Sequence, residues 1–225
     1  MNSLLVIDDF LSDPDSVRSQ ALNSKFYSNK INDTSFPGKR TDVIASLNPH
    51  YNSLMFKKLT TLLFNVDRSS YSVDIKSYFQ LVGAKYNHGW VHADDDSDSD
   101  IAGVLYLNPN PPIDSGTKFY KQISKEIDIN LIKKLNEIKK QFVMGGGDPH
   151  QALNALNENN SCFELTDYVS NKYNRLILYP SKWYHCAGQY FGDTNENSRL
   201  TQVFFIKCIS HNSDVKYFID KVRFS

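Results

Sequence analysis

The stretch GWVHADDDSDSD (residues 89–100) joins an apolar, aromatic segment to the densest run of aspartates in the chain. Aspartate is rare in strands and common in loops, so this junction predicts a strand that ends at an acidic loop. Side chains at positions i and i+2 of a strand point to the same face. His92 and Asp94 should therefore project together, whereas Asp95 should point to the other face, and the later aspartates should lie in solvent.

This pair supplies two of the three side chains of a two-histidine, one-carboxylate site, which holds non-haem Fe(II) and leaves other coordination positions open. The second histidine should come from a distant strand. The candidates are His50, His88, His150, His185 and His211. We favour His185, because it follows a strong strand and a proline turn and lies among aromatic residues in YPSKWYHCAGQYF (179–191).

A second polar pair opens the apolar strand RLTQVFFIK (199–207). Strand alternation places Arg199 and Thr201 on one face of this segment. A guanidinium that faces an enclosed interior needs an anionic partner with paired oxygens. A ligand carboxylate would provide that partner, and Thr201 could donate a further hydrogen bond. A structural bridge between Arg199 and an aspartate is the alternative.

The remaining pattern is mainly β with flanking helices, and we expect one domain over residues 1–225. Strands are predicted at 3–10, 71–86, 101–108, 117–123, 174–180 and 199–209, and helices at 12–26 and 52–64. Such an order favours a β-sandwich or jelly roll. Residues 121–165 contain apolar residues at helical spacing and the glycine run 145–147, which predicts a helical insertion with a flexible joint.

Composition limits the classes of partner and the compartment. Lysine plus arginine equals aspartate plus glutamate, 25 each, so neither a nucleic acid nor an anionic membrane is an expected partner. Three cysteines without CxxC spacing favour a reducing compartment. The N-terminal segment lacks the basic start and the cleavage site of a signal peptide, and no apolar run is long enough to span a membrane. We expect a cytoplasmic protein; its oligomeric state has no signal in the sequence.

Five segments, taken in order, resemble the Fe(II)/2-oxoglutarate-dependent oxygenases, in particular the prolyl-4-hydroxylase-like group. They are YNHGWVHAD (86–94), AGVLYLNPNPP (102–112), GTKFY (116–120), LILYPSKWYHCAGQY (176–190) and RLTQVFFI (199–206). The resemblance implies a double-stranded β-helix (jelly roll) and a dioxygenase that acts as a hydroxylase. It also implies Fe(II), the cosubstrate 2-oxoglutarate, and O₂. The substrate would be a peptide side chain, an amino acid or another small metabolite.

The resemblance also implies a role for each candidate residue. The metal ligands and catalytic residues would be His92, Asp94 and His185. The cosubstrate would be bound by Arg199, Thr201, Tyr86 and Tyr106, with Arg199 on the 5-carboxylate. The chain departs from the family pattern in the spacing of fourteen from His185 to Arg199, which requires an extended loop at 192–197. Prolyl hydroxylases also often carry Lys where Arg199 stands, and a first Gly where this chain has Ser115.

Two other classes of function stay open at the level of sequence. One is a jelly-roll binding module without redox chemistry. The other is a zinc-dependent hydrolase that uses His88, His92 and His185. The type of ligand separates them, since a carboxylate beside the two histidines favours iron and a third histidine favours zinc.

Overall fold

The computed structural model describes residues 4–28, 36–63, 71–94, 99–123 and 129–211. The aspartates predicted in the acidic loop at 95, 96 and 98 lie outside the described residues. The helices are α1 (Pro14–Leu22), α2 (Ile44–Leu47), α3 (Pro49–Leu63), α4 (Ile129–Val143) and α5 (Pro149–Asn160). The strands are β1 (Leu5–Ile7), β2 (Tyr27–Ser28), β3 (Lys39–Arg40), β4 (Tyr71–Val82), β5 (Ile101–Tyr106), β6 (Thr117–Gln122), β7 (Phe163–Val169), β8 (Leu176–Pro180), β9 (Tyr184–Ala187) and β10 (Arg199–His211).

The strands form two antiparallel sheets. The major sheet has seven strands in the order β1-β8-β5-β10-β4-β3-β2, and the minor sheet has three in the order β7-β6-β9. Among the described strands the major sheet does not close into a barrel. The predicted jelly-roll fold with flanking helices is confirmed, because residues of both sheets pack against one another in a common core.

The strand β5 of the major sheet divides its side chains between two layers. On β5, Ile101 and Leu105 pack against the helices, while Val104 and Tyr106 pack towards the minor sheet. The helix layer consists mainly of α1 and α3, whose apolar faces cover one side of the major sheet. The other side is therefore left to line the space between the sheets.

The helices begin where the sequence carries capping residues. Asp13 accepts a hydrogen bond from the backbone N–H of Ser16 at 3.0 Å, and Pro14 occupies the first turn of α1. Asp148 accepts one from the N–H of His150 at 3.0 Å, at the start of α5. An N-terminal cap satisfies backbone donors that have no partner within the helix, which fixes where each helix starts.

The helices α4 and α5 lie between β6 and β7 in the chain. They pack together around Trp90, which contacts a cluster containing Leu135, Ala155 and Leu156. The side-chain amide of Asn160 donates to the carbonyl of Gly89 at 3.0 Å, and its oxygen accepts from the N–H of Val91 at 2.9 Å. The end of α5 is thereby tied to the segment that carries His92. In the described part of the chain, no helix has the length and hydropathy needed to cross a bilayer.

Candidate metal centre

The two histidines favoured from the sequence face each other across a pair of chain segments. The N–H of His92 donates to the carbonyl of His185 at 3.1 Å, and the N–H of His185 donates to that of His92 at 2.8 Å. Their rings lie 4.6 Å apart between centroids. The prediction of a continuous strand before the acidic loop is wrong, because residues 88–94 pair only through isolated bridges at His88 and His92.

This close pairing depends on the absence of a side chain at Gly89. A Cβ at this position would lie 2.7 Å from both the backbone N and the backbone O of Ala187. The N–H of Gly89 instead donates to that carbonyl at 2.9 Å. Glycine therefore lets the segment before His92 approach β9, the strand that holds His185.

Asp94 completes a three-residue group with the two histidines. Its N–H donates to the carbonyl of Ser181 at 2.8 Å, which fixes the backbone just beyond His92. One carboxylate oxygen lies 3.6 Å from Nε2 of His92, and the other lies 3.6 Å from Nε2 of His185. The ligand atoms of the three residues all fall within 4.8 Å of one another.

His88, the third histidine of the alternative zinc site, is not part of this group. His88 lines the same cavity and pairs with Gln189, and burial is the main reason that its pKa is lowered. Within the described residues, the only such group of histidine, cysteine and acidic side chains consists of two imidazoles and one carboxylate. That donor set is the one expected for non-haem iron rather than for a three-histidine zinc site.

The tautomer of each ring is set by a backbone carbonyl. Nδ1 of His92 lies 2.7 Å from the oxygen of Trp90, and Nδ1 of His185 lies 2.8 Å from the oxygen of Trp183. A carbonyl only accepts, so Nδ1 carries the proton in both rings, and Nε2 of a neutral ring presents a lone pair. This is the arrangement found around histidines that ligate metals.

In the group of His92, Asp94 and His185, hydrogen-bond acceptors therefore face one another. Burial lowers the pKa of His92 well below its usual value, with a further contribution from His185, so His92 is neutral near pH 7. Its Nε2 lone pair then faces a carboxylate oxygen of Asp94 with no proton between them. A cation placed among the three side chains would satisfy all of them, and a divalent metal fits this donor set.

Arg199 is buried at the start of β10, on the face that alternation predicts. It is 5% exposed, and its Nε donates to the carbonyl of Ser115 at 3.0 Å. Its guanidinium lies 5.5 Å from the ring centroid of Tyr106 and 6.0 Å from that of Tyr190. Among the described residues no carboxylate forms an ion pair with it, so the alternative of a structural Arg–Asp bridge finds no support there.

Thr201 lies on the same face of β10, between the cavity-lining residues Arg199 and Val203. It is fully buried, and its Oγ1 has no hydrogen-bond partner among the described residues. A buried hydroxyl without a partner costs about 1–3 kcal/mol. An unpaired hydroxyl and an arginine without a carboxylate, two residues apart on one strand face, are suited to a ligand carboxylate.

The two tyrosines implied by the resemblance occupy different surroundings. Tyr86 lines the cavity, and its ring packs edge-on against Phe142 of α4, with 5.6 Å between centroids. Tyr106 is fully buried, and its hydroxyl shares a hydrogen bond of 2.7 Å with Oγ1 of Thr117. Burial raises the pKa of Tyr106. Tyr106 therefore stacks on Arg199 with its hydroxyl already paired, whereas Tyr86 borders the open space.

The spacing of fourteen between His185 and Arg199 is absorbed by a closed turn instead of an extended loop. Both Asp193 and Thr194 donate their N–H groups to the side-chain oxygen of Asn197 at 2.9 Å. The N–H of Arg199 then returns to the carbonyl of Phe191 at 3.3 Å. The turn therefore folds back on itself, and Arg199, the first residue of β10, lies next to Phe191, the residue before the turn.

The three candidate ligands, Arg199 and Tyr86 border one cavity of about 640 Å³ between the two sheets and α4, and Thr201 lies beside Arg199 without lining it. Its walls include the three candidate ligands and Arg199. They also include residues that sequence reasoning did not single out, namely Arg40, Lys139, Tyr179 and Tyr190. The ring of Tyr179 lies 4.7 Å from that of His185. Strand alternation in LILYP places Tyr179 and Ile177 on one face, the inner one, and could have identified Tyr179.

Comparison with solved structures identifies the fold. The chain is similar to HygX from Streptomyces hygroscopicus with nickel and 2-oxoglutarate bound, at 13% identity and a TM-score of 0.56, covering 92% of this chain and 83% of that chain. It is similar to a prolyl hydroxylase from Trichoplax adhaerens in complex with a hypoxia inducible factor peptide, at 13% identity and a TM-score of 0.55, covering 92% and 84%. It is also similar to a prolyl-4-hydroxylase from Pseudomonas putida, at 13% identity and a TM-score of 0.51, covering 92% and 93%.

These likenesses confirm the prolyl-4-hydroxylase-like oxygenase fold expected from the sequence. At such identities they speak for the fold alone. A search among curated proteins finds no match. One family model matches residues 1–206, nearly the whole described chain, and its description is a family of unknown function. The chain therefore belongs to the family of unknown function DUF6445.

Proposed function

We propose that this protein is an Fe(II)- and 2-oxoglutarate-dependent oxygenase that hydroxylates a small molecule or a peptide side chain. The observation that carries the proposal is the combination of two sites on one cavity. The group of His92, Asp94 and His185 is suited to a divalent metal, and the buried pair of Arg199 and Thr201 is suited to a carboxylate.

The three ligands would hold the metal from one side and leave its cavity side open. His92 and His185 would each bind it through Nε2, and Asp94 through a carboxylate oxygen. The carbonyls of Trp90 and Trp183 keep the two imidazoles in the tautomer and orientation that binding requires. Bound Fe(II) with 2-oxoglutarate and O₂ would supply the oxidising chemistry that hydroxylates an unactivated C–H bond.

Arg199 and Thr201 would bind the distal carboxylate of 2-oxoglutarate. The guanidinium would form a charge-assisted pair with the carboxylate, and the Thr201 hydroxyl would gain the partner that it lacks. The ring of Tyr106 would hold the guanidinium in place, as its own hydroxyl is already used by Thr117. The Tyr86 hydroxyl, at the edge of the cavity, would donate a further hydrogen bond to the same cosubstrate.

The helical insertion over residues 121–165 would serve as a lid. In the structure α4 contributes Lys139, Phe142 and Val143 to the cavity wall, and it rests on Trp90 next to the metal ligands. Closure of such an element excludes water, which strengthens electrostatic interactions inside the cavity. Gly145 and Gly147 have φ of +83° and +77°, which suits the joint between α4 and α5.

The similar proteins bind substrates of different kinds. HygX is described with hygromycin B bound, and the Trichoplax prolyl hydroxylase with a peptide fragment. Neither observation selects a substrate for this chain. We therefore propose the reaction class and leave both a peptide side chain and a small metabolite within it.

The test is turnover and binding under controlled oxygen. Without oxygen, addition of Fe(II) and 2-oxoglutarate should produce a weak visible charge-transfer band, and admission of air should yield succinate. Arg199→Met should raise the concentration of 2-oxoglutarate that is required, while the affinity for the metal is retained. If the wild-type protein gives neither the band nor succinate, the oxygenase proposal is wrong and a jelly-roll binding module is the better description.

A further inference from the structure

We propose that the cavity recognises its substrate through an anionic group, a carboxylate or a phosphate, bound between Arg40 of β3 and Lys139 of α4. The proposal rests on the oxygenase function and adds the class of substrate to it. It follows from two cationic side chains that face the metal group and that the metal and the cosubstrate leave uncompensated.

The side chain of Arg40 is fixed by a hydrogen bond and by contacts with aromatic rings. Its Nε donates to the side-chain oxygen of Gln80 at 3.0 Å, and the amide of Gln80 donates in turn to the carbonyl of Pro37 at 3.0 Å. The guanidinium lies 4.2 Å from the ring centroid of Phe36 and 5.5 Å from that of Phe205. Within the described residues, its terminal nitrogens have no hydrogen bond and no carboxylate partner. An arginine fixed in this way presents the planar donors that match an oxyanion.

Lys139 borders the same cavity from α4. It is half-buried on α4, and its Nζ lies 5.9 Å from the ring centroid of Trp90. Among the described acidic residues, none forms an ion pair with it. Burial lowers its pKa, which Asp94 opposes, so the ammonium group lies in a partly desolvated place near the metal group. A partly buried ammonium with no carboxylate beside it is costly unless a ligand pairs with it.

Arg40 and Lys139 come from other elements than Arg199 and have other neighbours. Both border the same cavity as the three candidate metal ligands, Arg40 from β3 and Lys139 from α4. Arg199 instead lies against Tyr106 and bonds to the carbonyl of Ser115, at the start of β10. A cosubstrate carboxylate bound by Arg199 and Thr201 therefore leaves Arg40 and Lys139 available.

The charge balance of a site that holds Fe(II) and 2-oxoglutarate also supports an anionic substrate. Imidazoles that bind a metal through Nε2 add no charge, so the two positive charges of Fe(II) and the one of Arg199 balance the carboxylate of Asp94 and the two carboxylates of 2-oxoglutarate. Arg40 and Lys139 then remain as excess positive charge, because Asp94 is the only acidic residue in the cavity wall among the residues that the structure describes. An anionic substrate removes this excess, whereas a neutral one leaves both half-buried cations without an anionic partner.

The first measurement compares matched probes on protein loaded with Ni(II) and 2-oxoglutarate. N-acetyl amino acids are titrated against their carboxamides, and N-acetyl-O-phosphoserine amide against N-acetylserine amide, by isothermal calorimetry. We expect the charged member of at least one pair to bind about tenfold more tightly or better, and the pair that responds identifies the anion as carboxylate or phosphate. Equal affinity within every pair would overturn the proposal.

Substitutions then locate the anion. Arg40→Gln and Lys139→Met should each lower the affinity for the charged probe about tenfold and leave that for its neutral partner unchanged. Lys39→Met and Lys134→Met remove the same charge from exposed neighbours on β3 and α4 that do not line the cavity, and should change neither. Lys139→Met alters a half-buried helix position, so it provides a test even if Arg40→Gln does not fold.

Titrations of Ni(II) and of 2-oxoglutarate into each variant separate this inference from the function on which it rests. Failure of both to bind the wild-type protein would refute the oxygenase proposal. Normal binding of both, with no loss of charged-probe affinity in Lys139→Met, would refute the anion site alone. A large loss of 2-oxoglutarate affinity in Arg40→Gln would also refute it, since Arg40 would then belong to the cosubstrate site.

Discussion

Replacing Thr201 with valine should shift two measurements in opposite directions. In the ligand-free protein the Thr201 hydroxyl is fully buried and has no partner among the described residues. Burial of an unpaired hydroxyl costs about 1–3 kcal/mol, and valine has nearly the same shape without that group. We expect the ligand-free variant to gain about 1 kcal/mol in the free energy of unfolding, which corresponds to a rise of about 2–4 °C in Tm.

The same substitution should weaken the binding of 2-oxoglutarate. One lost hydrogen bond to a carboxylate is worth about 1.5 kcal/mol, which is a factor of about ten in Kd. Thermal denaturation followed by circular dichroism measures the first effect. Calorimetric titration of 2-oxoglutarate into the Ni(II)-loaded protein measures the second. Both residues are β-branched, so strand preference does not interfere.

Thr117 provides the matched control. It is also a buried threonine on a strand, but its Oγ1 is bonded to the hydroxyl of Tyr106 at 2.7 Å. Thr117→Val would leave that phenol unpaired and should cost about 1–3 kcal/mol of stability. If Thr201→Val destabilises the protein as Thr117→Val does, the Thr201 hydroxyl is paired after all. If it leaves the affinity for 2-oxoglutarate unchanged, Thr201 lies outside the cosubstrate site.

Three further substitutions test a metal ligand, the close approach of the segment before His92 to β9, and an ion pair at the surface. Asp94→Ala should weaken Ni(II) binding at least about a hundredfold with an unchanged circular dichroism spectrum, because it removes the only carboxylate of the group. Gly89→Ala should lower the affinity for Ni(II) while all three ligands remain, since its Cβ would lie 2.7 Å from the backbone of Ala187 and would push residues 88–92 away from β9. Asp8→Asn should cost about 0.5–1 kcal/mol near pH 6, measured by urea denaturation, because it breaks a partly exposed pair with Arg175.

The loss of stability in Asp8→Asn should depend on pH in a definite direction. Hydrogen bonds from Arg175 and Lys172 lower the pKa of Asp8, so its contribution is fully present above the ordinary pKa of about 4 and is lost as the pH falls below it. The difference in stability between wild type and Asp8→Asn should therefore shrink below pH 4, and a constant difference would contradict the assignment.

Unchanged Ni(II) affinity in Asp94→Ala or in Gly89→Ala would contradict the corresponding account of the metal centre.

Local patterns in the sequence predicted how strand side chains divide between two layers, and they predicted part of the residues that border the cavity. The alternation in β10 separates Arg199 and Val203 from Leu200 and Phe204. In the structure Leu200 and Phe204 belong to the core cluster that includes the helices, and Arg199 and Val203 border the cavity. Capping residues fixed the starts of α1 and α5. Such features depend on the geometry of a single strand or helix turn, which neighbouring residues specify directly.

The tertiary structure alone decided which distant groups share the cavity. His92 and His185 meet through two backbone hydrogen bonds between segments that form no continuous ladder, and a closed turn compensates for the long spacing to Arg199. Arg40 lies in a two-residue strand next to the edge of the major sheet, and Lys139 lies on a helix, and in both settings a cation normally faces solvent. Periodicity determines which way a side chain points from its own element, but which element lies opposite depends on long-range pairing and packing, which no local pattern specifies.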